Sequence, residues 1–572
     1  MNMSRARDDR GKQDLTTASN TSERSSPEGS WRESLESFVV AFIIAYVVKS
    51  FAFEAFVIPT GSMAPTLMGR HKEIDCSQCG YRFAVNASES AGSAPILMGT
   101  CVNCRYAADI RSEPNFKGDR ILVLKSLFDL PKTIGGGPPK RWDVTVFKYP
   151  EEPETNYIKR LVGMPDEELR IQRGNLYTRK LGSADPFQVQ RKSLDHQRAM
   201  QIMVNDDLHK PKALRDDPRW NHWRPEEGGW KVLEDGLYEA KPSGDSWQEM
   251  RYEHRVPDPG QWRAITSSKP IPGTPRSSLI TDFYAYNTFL TTDTYDKSAW
   301  FQPHWVGDLT VELLLEVNKP TGEFRVELVE AGIQNQFVVD LKTGKGKLIR
   351  AGKILAETQT PIREGGRFRI RFANVDDRLT VWINHRLPFG DGVSYIPDAS
   401  EKTGPQAADL KPVGIAVRDS AATVSRLVLT RDIYYSVNPG GFDYADILWN
   451  KPIMESRDLF DLLSDPKRFS SFAEDHHRDF PIKPGHYMMM GDNSPLSKDS
   501  RAWGVRDQKE PGSIGGWDQT GRESWEVPER LIVGKAFMVY WPHSRPLWPK
   551  IRVNPDFYLP FRPYFERIKV IR

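Results

Sequence analysis

A succession of short alternating segments between Tyr284 and Tyr435 limits the folds open to this chain more than any other part of it. Within each segment apolar and polar side chains alternate, and Gly and Asn residues separate one segment from the next. A period of two is typical of β-strands with one buried face. We therefore predict a two-sheet β-sandwich over residues 281–436. The segments are Leu309–Glu316, Glu323–Leu328, Phe337–Leu341, Arg367–Phe372, Leu379–Ile383, Gly414–Val417 and Ala422–Thr430.

Length and charge set the broad class of the protein. A chain of 572 residues is too long for one ordinary core, so several domains are expected. The net charge of +3 gives no reason to predict a nucleic-acid partner. All four cysteines lie between Cys76 and Cys104, which excludes a fold built throughout on disulfides.

An uncharged apolar run, Phe38–Val48, follows a polar N-terminal stretch. We predict a disordered cytoplasmic tail over residues 1–33 and a transmembrane anchor over residues 34–56. A cleaved secretory signal and a buried core helix are the alternatives, but bulky Phe51 and Phe53 follow the run and no clear Ala-x-Ala site is present. Arg and Lys residues before the run place the N-terminus in the cytoplasm and the rest of the chain outside. The prediction is a single-pass protein of the inner (plasma) membrane.

Two short stretches after the apolar run suggest catalysis. Ser62 lies in a loop between Pro59 and Pro65, and Lys159 lies in a strand-like run with apolar neighbours. A serine hydroxyl needs a base, and a lysine can be that base only if burial lowers its pKa. Either stretch alone fits a surface turn or a core strand, but together they suggest a Ser62–Lys159 pair at a membrane surface. No Gly-x-Ser-x-Gly elbow and no His-Glu-x-x-His motif offers another mechanism.

A third polar stretch, Gly491–Arg501, completes a resemblance to a known family. With Ser62-Met63-Ala64-Pro65-Thr66, Tyr157-Ile158-Lys159-Arg160, Arg141–Pro150 and Val533-Gly534-Lys535-Ala536, it follows the order of motifs in bacterial type I signal peptidases. The chain resembles that family over well under half of its length. The resemblance implies an antiparallel β catalytic fold, here formed by residues 57–71, 115–180 and 481–572.

The resemblance also implies roles for individual residues. Ser62 would form an acyl-enzyme and Lys159 would accept its proton, while the Ser62 N–H and the Thr60 hydroxyl would form the oxyanion hole. Ser497 would hydrogen-bond to Lys159, Asp499 would pair with Arg501, and Asp492 would support the same loop. The chemistry would need no cofactor.

The substrates implied by the resemblance are signal peptides of exported preproteins, with small residues at positions −1 and −3. An extended peptide can add to a free strand edge. The lipid bilayer and the secretion machinery are the other expected partners. The residues expected at the edges are Phe56, Ile58, Pro59, Asn156, Tyr157 and Ile158.

Two CxxC pairs, Cys76/Cys79 and Cys101/Cys104, interrupt the catalytic segments. Their spacing is typical of a zinc ribbon with four thiolate ligands. Disulfides compete, because an extracytoplasmic compartment is oxidising. We predict a zinc-ribbon-like insertion over residues 72–114, with structural zinc as the first hypothesis and disulfides as the second.

The alternating segments also carry a resemblance of their own. Phe368–Arg371 and Asp377–Asn384 resemble concanavalin-like, laminin-G-like jelly-roll domains, which implies a glycan or protein ligand; a purely stabilising insertion is the other interpretation. Residues 181–280 are predicted to be an irregular insertion and residues 437–480 a helical connector. The competing hypothesis for the whole chain is an inactive membrane-anchored binding module. A cytoplasmic self-cleaving repressor is opposed by the absence of a DNA-binding element.

Overall fold

A computed structural model describes most of the chain from residue 27 onward. Residues 1–26, 89–94, 292–303, 439–460, 473–475 and 504–524 lie outside the description. So do residues 48, 50–51, 129, 132, 134–135, 227–228, 235, 243, 543, 547–551, 555–556 and 559–560. The chain divides into two compact units, Met1–Phe53 and Glu54–Arg572.

The described part of the first unit is mainly one helix, α1 (Pro27–Val47). It begins six residues before the predicted end of the tail at residue 33, and most of that tail lies outside the described residues. The predicted anchor extends too far, because residues 53–56 already belong to a β-strand. Within the described part of the chain, no helix combines the length and the apolar character needed to cross a bilayer.

The central sheet carries both the serine loop and the lysine. Its order is β1-β6-β31-β7-β8-β29-β30, with β36 paired to β31. Alternating residues face two different cores: Val144 and Val146 lie in one buried cluster, Phe147 and Tyr149 in another. Its described strands are β1 (Phe53–Val57), β6 (Arg120–Leu124), β7 (Val144–Tyr149), β8 (Glu152–Gly163), β29 (His486–Met490), β30 (Glu526–Pro528), β31 (Ile532–Trp541) and β36 (Lys569–Val570).

A smaller sheet packs beside the central one. Its order is β11-β10-β9-β28, and it shares a buried cluster with Val162 of β8 and Met488 of β29. Its strands are β9 (Glu167–Gln172), β10 (Asn175–Lys180), β11 (Gln188–Val189) and β28 (His477–Ile482).

Two larger antiparallel sheets share one extensive core and form the sandwich. The first has the order β14-β15-β27-β18-β23-β24-β25, with β12 also paired to β27. Its strands are β12 (Ile202–Asp206), β14 (Trp230–Glu234), β15 (Leu237–Ala240), β18 (Leu309–Val317), β23 (Gly366–Asn374), β24 (Arg378–Ile383), β25 (Val393–Ser394) and β27 (Ala422–Arg431). The second sheet has the order β13-β16-β26-β19-β20-β21-β22. Its strands are β13 (Trp223–Pro225), β16 (Gln248–Tyr252), β19 (Glu323–Glu330), β20 (Ile333–Asp340), β21 (Lys345–Arg350), β22 (Lys353–Gln359) and β26 (Val413–Arg418).

The mainly β prediction is confirmed, but the sandwich draws on more of the chain than its alternating segments. β15 pairs with β27, and β16 pairs with β26, so residues 202–252 contribute to both sheets. That stretch was expected to be irregular. Its short strands carry large side chains such as Trp223 and Tyr252, which the shared core buries.

The four cysteines lie in a module of two hairpins. The cysteine module consists of β2 (His71–Asp75), β3 (Arg82–Asn86), β4 (Ile96–Thr100) and β5 (Ala107–Asp109). A strand distant in sequence, β17 (Phe289–Thr291), pairs with β4 and completes a three-stranded sheet.

The remaining elements are short. The strand pairs β32 (Ser544–Pro546) with β35 (Phe561–Pro563) and β33 (Arg552–Asn554) with β34 (Phe557–Tyr558) lie near the C-terminus. Further α-helices among the described residues include α2 (Leu194–Ala199), α3 (Pro259–Thr266) and α4 (Pro466–Phe472). Of the predicted helical connector, residues 439–460 lie outside the described residues, and residues 477–480 are part of a strand.

Candidate active site

The serine loop follows β1 directly. Gly61–Met63 form one turn of 3₁₀ helix, in which the Ala64 N–H donates to the Gly61 carbonyl at 3.1 Å. Ser62 is only 7% exposed. The turn therefore holds its hydroxyl in a site largely shielded from water.

The lysine side chain reaches this hydroxyl from β8 of the same sheet. The distance from Lys159 Nζ to Ser62 Oγ is 2.5 Å, and the two residues are 97 positions apart. Lys159 is buried, and burial lowers its pKa from 10.5 to about 8, although Asp499 acts in the opposite direction. A neutral amine at this position can accept the serine proton.

The pair Asp499–Arg501 fixes the third polar stretch. The Arg501 guanidinium donates to both Asp499 oxygens, at 2.9 and 2.7 Å. Asp499 also accepts the Gly491 N–H at 3.0 Å. Burial by itself would raise the pKa of Asp499, but Arg501 outweighs that effect and the pKa is lowered. The carboxylate therefore stays charged beneath the loop.

Asp492 pairs with a different arginine. Arg160 donates to both Asp492 oxygens, at 2.7 and 2.6 Å, and both side chains are fully buried. Arg160 also donates to the Trp142 carbonyl at 2.6 Å. Sequence reasoning noted Arg160 only as part of a motif; its position directly after Lys159 was the available signal. The ion pair ties β8, which carries Lys159, to the loop that follows β29.

The expected hydrogen bond between Ser497 and Lys159 is absent, which corrects the sequence-based expectation. Among the described residues, Ser497 Oγ is buried without a hydrogen-bond partner. It lies over Gly491: a Cβ added at Gly491 would come within 2.2 Å of Ser497 Oγ and 2.4 Å of the Ser62 carbonyl oxygen. The loop therefore places this hydroxyl against backbone, where only glycine leaves room for it.

Two strand edges meet at the dyad. β1 is the terminal strand of the central sheet, and β29 pairs with β8 only from Arg160 onward. Among the described strands, none pairs with the second edge of β8 over residues 152–158. Ser62 follows β1 and contacts Lys159 of β8. The edge of β1 and the free edge of β8 over residues 152–158 therefore both lead to the Ser62–Lys159 dyad.

The residues expected to contact a peptide differ in exposure. Pro59 and Asn156 are exposed, and Phe56, Tyr157, Ile158 and the proposed oxyanion donor Thr60 are half-buried. Ile58 is only 2% exposed and packs in a core cluster with Met63. Its backbone N–H donates to the Asp119 carbonyl at 2.9 Å, so Ile58 supports the serine loop from below and does not offer a peptide contact.

The four cysteine sulfurs converge in the cysteine module. All four Sγ atoms lie within 4.8 Å of one another, and the pairs Cys76–Cys104 and Cys79–Cys101 are each 3.6 Å apart. A tetrahedron with zinc–sulfur bonds of about 2.3 Å places its sulfurs about 3.8 Å apart. A disulfide would need about 2 Å, and the cysteines are free. The donor set and spacing fit a tetrahedral metal ion.

A second group of potential ligands is already balanced by a lysine. Asp308, Asp376 and Asp432 bring carboxylate oxygens within 4.8 Å of one another in the buried base of the sandwich. Lys192 Nζ lies 2.6 Å from Asp432 and 3.0 Å from Asp376. Since this ammonium group occupies the cluster, we assign no metal to it.

A serine hydroxyl in contact with a buried amine is the arrangement that Ser/Lys hydrolases use. Residues 31–217 and 452–541 match the family model described as Signal peptidase, peptidase S26, just under half of the chain. The dyad and the Gly491–Arg501 loop lie inside these segments, whereas most of the sandwich lies between them.

Individual relatives have the same description. Signal peptidase I of Pseudomonas fluorescens is 26% identical over 232 residues, which are 38% of this chain and 61% of that protein. Signal peptidase I of Pseudomonas aeruginosa is 32% identical over 158 residues, 26% of this chain and 41% of that protein. The chain therefore spans less than two thirds of the length of either relative.

Among solved structures, a carbohydrate-binding module from Bacillus subtilis overlaps 37% of this chain and 96% of that module. The sequence identity is 14% and the TM-score is 0.22. A score of this size does not establish a shared fold, so the sandwich is described from its own strands.

Proposed function

We propose that this protein is a serine endopeptidase that removes signal peptides from preproteins by a Ser62–Lys159 dyad. The observation that carries the proposal is the 2.5 Å contact between Lys159 Nζ and Ser62 Oγ in a buried site. The similarity to peptidase S26 and to Signal peptidase I supports the substrate class. The alternative, an inactive binding module, would leave this buried contact without a purpose.

In the proposed reaction, neutral Lys159 accepts the Ser62 proton as Oγ bonds to the scissile carbonyl carbon. That proton passes to the leaving amine, which departs as the acyl-enzyme forms. Water then gives a proton to Lys159 as its oxygen attacks the acyl carbon. Lys159 passes this proton to Ser62 Oγ as the ester C–O bond breaks, which releases the signal peptide and restores the Ser62 hydroxyl and the neutral lysine. The Ser62 N–H and the Thr60 hydroxyl would stabilise the oxyanion in both steps.

We propose that the peptide lies extended between the end of β1 and the free edge of β8. Main-chain hydrogen bonds to these edges would position the scissile bond over Ser62. The side chains at −1 and −3 would point toward the buried dyad, which favours small residues there. Asp499–Arg501 and Asp492–Arg160 would keep the two edges in register by fixing the loops between them.

The function is tested by cleavage of a preprotein with an Ala-x-Ala site by the full chain in detergent. We expect one cut, directly after the −1 alanine, established by sequencing the new N-terminus. The matched control is the same preprotein with tryptophan at −1, which should remain intact. Failure to cut the first substrate, or equal cutting of both, would contradict the proposed function.

We propose that α1 attaches the protein to the inner membrane, with the N-terminus cytoplasmic and the dyad outside. Phe38, Phe42 and Tyr46 on this helix are 79%, 72% and 63% exposed. Flotation of the full chain with phosphatidylethanolamine–phosphatidylglycerol vesicles should be lost in the double variant Phe42→Asp, Ile43→Asp, since charge in the bilayer is costly. Ile354→Asp, at an exposed apolar site of the sandwich, should float as before. Unchanged flotation of the double variant would exclude this anchor.

We further propose that the four cysteines bind structural zinc, which no step of the reaction uses. Zinc would join two hairpins whose buried cluster is completed by side chains from outside them, such as Trp220 and Trp262. Contact with the secretion machinery, and a glycan or protein ligand of the sandwich, stay predictions from the sequence.

A further inference from the structure

A short piece of the insertion lies directly against the serine loop. This bridging segment, Tyr284–Thr291, is outside both segments that match the family model. At one end it forms β17 and pairs with β4 of the cysteine module. At the other end Tyr286 packs in a buried cluster with Ala64 and Met68. A Cβ added at Gly61 would come within 2.4 Å of the Tyr286 ring, so the residue before Ser62 must be glycine while this ring stays in place.

Asn287 of the bridging segment forms a reciprocal amide pair with Asn493. Asn287 Nδ2 donates to Asn493 Oδ1 at 2.6 Å, and Asn493 Nδ2 donates to Asn287 Oδ1 at 2.9 Å. Asn493 is only 1% exposed, so it has little water to replace a lost partner. These two reciprocal bonds fix the orientation of the Asn493 amide.

Asn493 in turn holds the peptide groups on both sides of Ser62. Its Nδ2 donates to the Gly61 carbonyl at 3.1 Å, and its backbone N–H donates to the Ser62 carbonyl at 3.1 Å. The Gly61 carbonyl and the Ser62 N–H belong to one peptide plane, in which they point in opposite directions when the bond is trans. Fixing the carbonyl therefore fixes the direction of the N–H proposed as the oxyanion donor.

We propose that Asn287 is a positioning residue that the insertion supplies to the active site and that acts through Asn493 on the Ser62 N–H. This inference rests on the proposed function, because it needs an oxyanion to be formed at Ser62. Without Asn287, the Asn493 Oδ1 atom loses its donor and the amide can rotate away from the Gly61 carbonyl. The Gly61 carbonyl then loses one of its two donors and keeps the Ala64 N–H, so the Ser62 peptide can tilt and its N–H points less directly at the developing negative charge.

The test is steady-state cleavage of the Ala-x-Ala preprotein by wild type, Asn287→Ala and Asn287→Asp. Asp has the shape of Asn but turns the donor to Asn493 Oδ1 into an acceptor, so it keeps the packing and removes the bond. Complete loss of an oxyanion donor costs about 10²–10³ in rate. For a misdirected donor we expect a smaller loss in kcat, about tenfold, with KM unchanged. The pH midpoint should stay the same in Asn287→Ala, which adds no charge near Lys159. Asn318→Ala, an exposed asparagine of the same insertion, should retain wild-type kcat.

The double variant Asn287→Ala, Asn493→Ala separates positioning from general destabilisation. If Asn287 acts through Asn493, the double variant should be no slower than Asn493→Ala alone. The inference would be overturned if the losses in kcat of the two single variants multiplied in the double variant, or if Asn287→Asp had wild-type kcat. Either result would leave the proposed function intact. Inactivity of the wild type would instead count against the proposed function. If Asn287→Ala fails to fold, the kcat of Asn287→Asp relative to wild type decides: a loss supports the inference, and wild-type kcat overturns it.

Discussion

Replacing Lys159 by Met should lower kcat/KM for the preprotein by roughly 10⁴-fold or more, because no other base contacts the serine hydroxyl among the described residues. Met fills nearly the same volume and needs no hydration, so the buried site should remain packed. The melting temperature should not fall, since burial disfavours the lysine ammonium group. Loss of activity together with an intact fold would assign the defect to chemistry.

Ser62→Ala should be about as inactive as Lys159→Met, and the double variant should be no worse than either. Residues that act as one unit show such non-additive losses. Lys353→Ala, at an exposed lysine of the sandwich, is the control for removing a positive charge and should have wild-type activity. Substantial cleavage by Lys159→Met would show that another group accepts the proton.

The pH dependence of wild type tests the same lysine without a substitution. The reactive form is the neutral amine, so activity should rise with pH, with its midpoint near the lowered pKa of about 8. Below the midpoint kcat/KM should fall about tenfold per pH unit, and above it should level off. A flat profile from about pH 5 to 10 would contradict a lysine base.

Cys101→Ser should remove the bound metal and unfold the cysteine module. We expect about one zinc per chain in wild type, measured by mass spectrometry of the metal, and much less in the variant. Structural zinc in small domains supplies most of their folding free energy, so the module should become sensitive to proteases. Ser77→Ala, at an exposed position between two ligands, should keep both the zinc and the resistance.

Activity should fall with the metal, because the cysteine module supports the bridging segment. β4 of the module pairs with β17, and the Thr100 N–H donates to the Thr288 carbonyl at 3.2 Å. A disulfide-linked module would behave differently: the unfolded wild type would show no free thiols and no zinc. Either result decides between the two hypotheses left open by the sequence.

Local sequence patterns predicted most strands of the sandwich and the types of reactive residue, but they did not predict every hydrogen-bond partner in the site. The alternating segments correspond closely to β18, β19, β23, β24, β26 and β27, because each strand has one face in a shared core. The sequence predicts an irregular insertion over residues 181–280, because the strands that residues 202–252 form are only three to five residues long and too short to display a period. The predicted hydrogen bond between Ser497 and Lys159 was wrong. The path of a loop depends on steric contacts such as those at Gly491, which a sequence motif does not specify.

The sequence by itself determined that the protein is mainly β, that a serine and a lysine are available in suitable surroundings, and that four cysteines have metal-ligand spacing. These are properties of neighbouring residues, and neighbouring residues interact whatever the rest of the chain does. Only the tertiary structure decided that Lys159 meets Ser62 and that Asp492 pairs with Arg160, 332 positions away. It also brought Asn287 to Asn493, 206 positions away. Such contacts form when packing of the cores brings distant strands and loops together, and no local pattern encodes which side chains then meet.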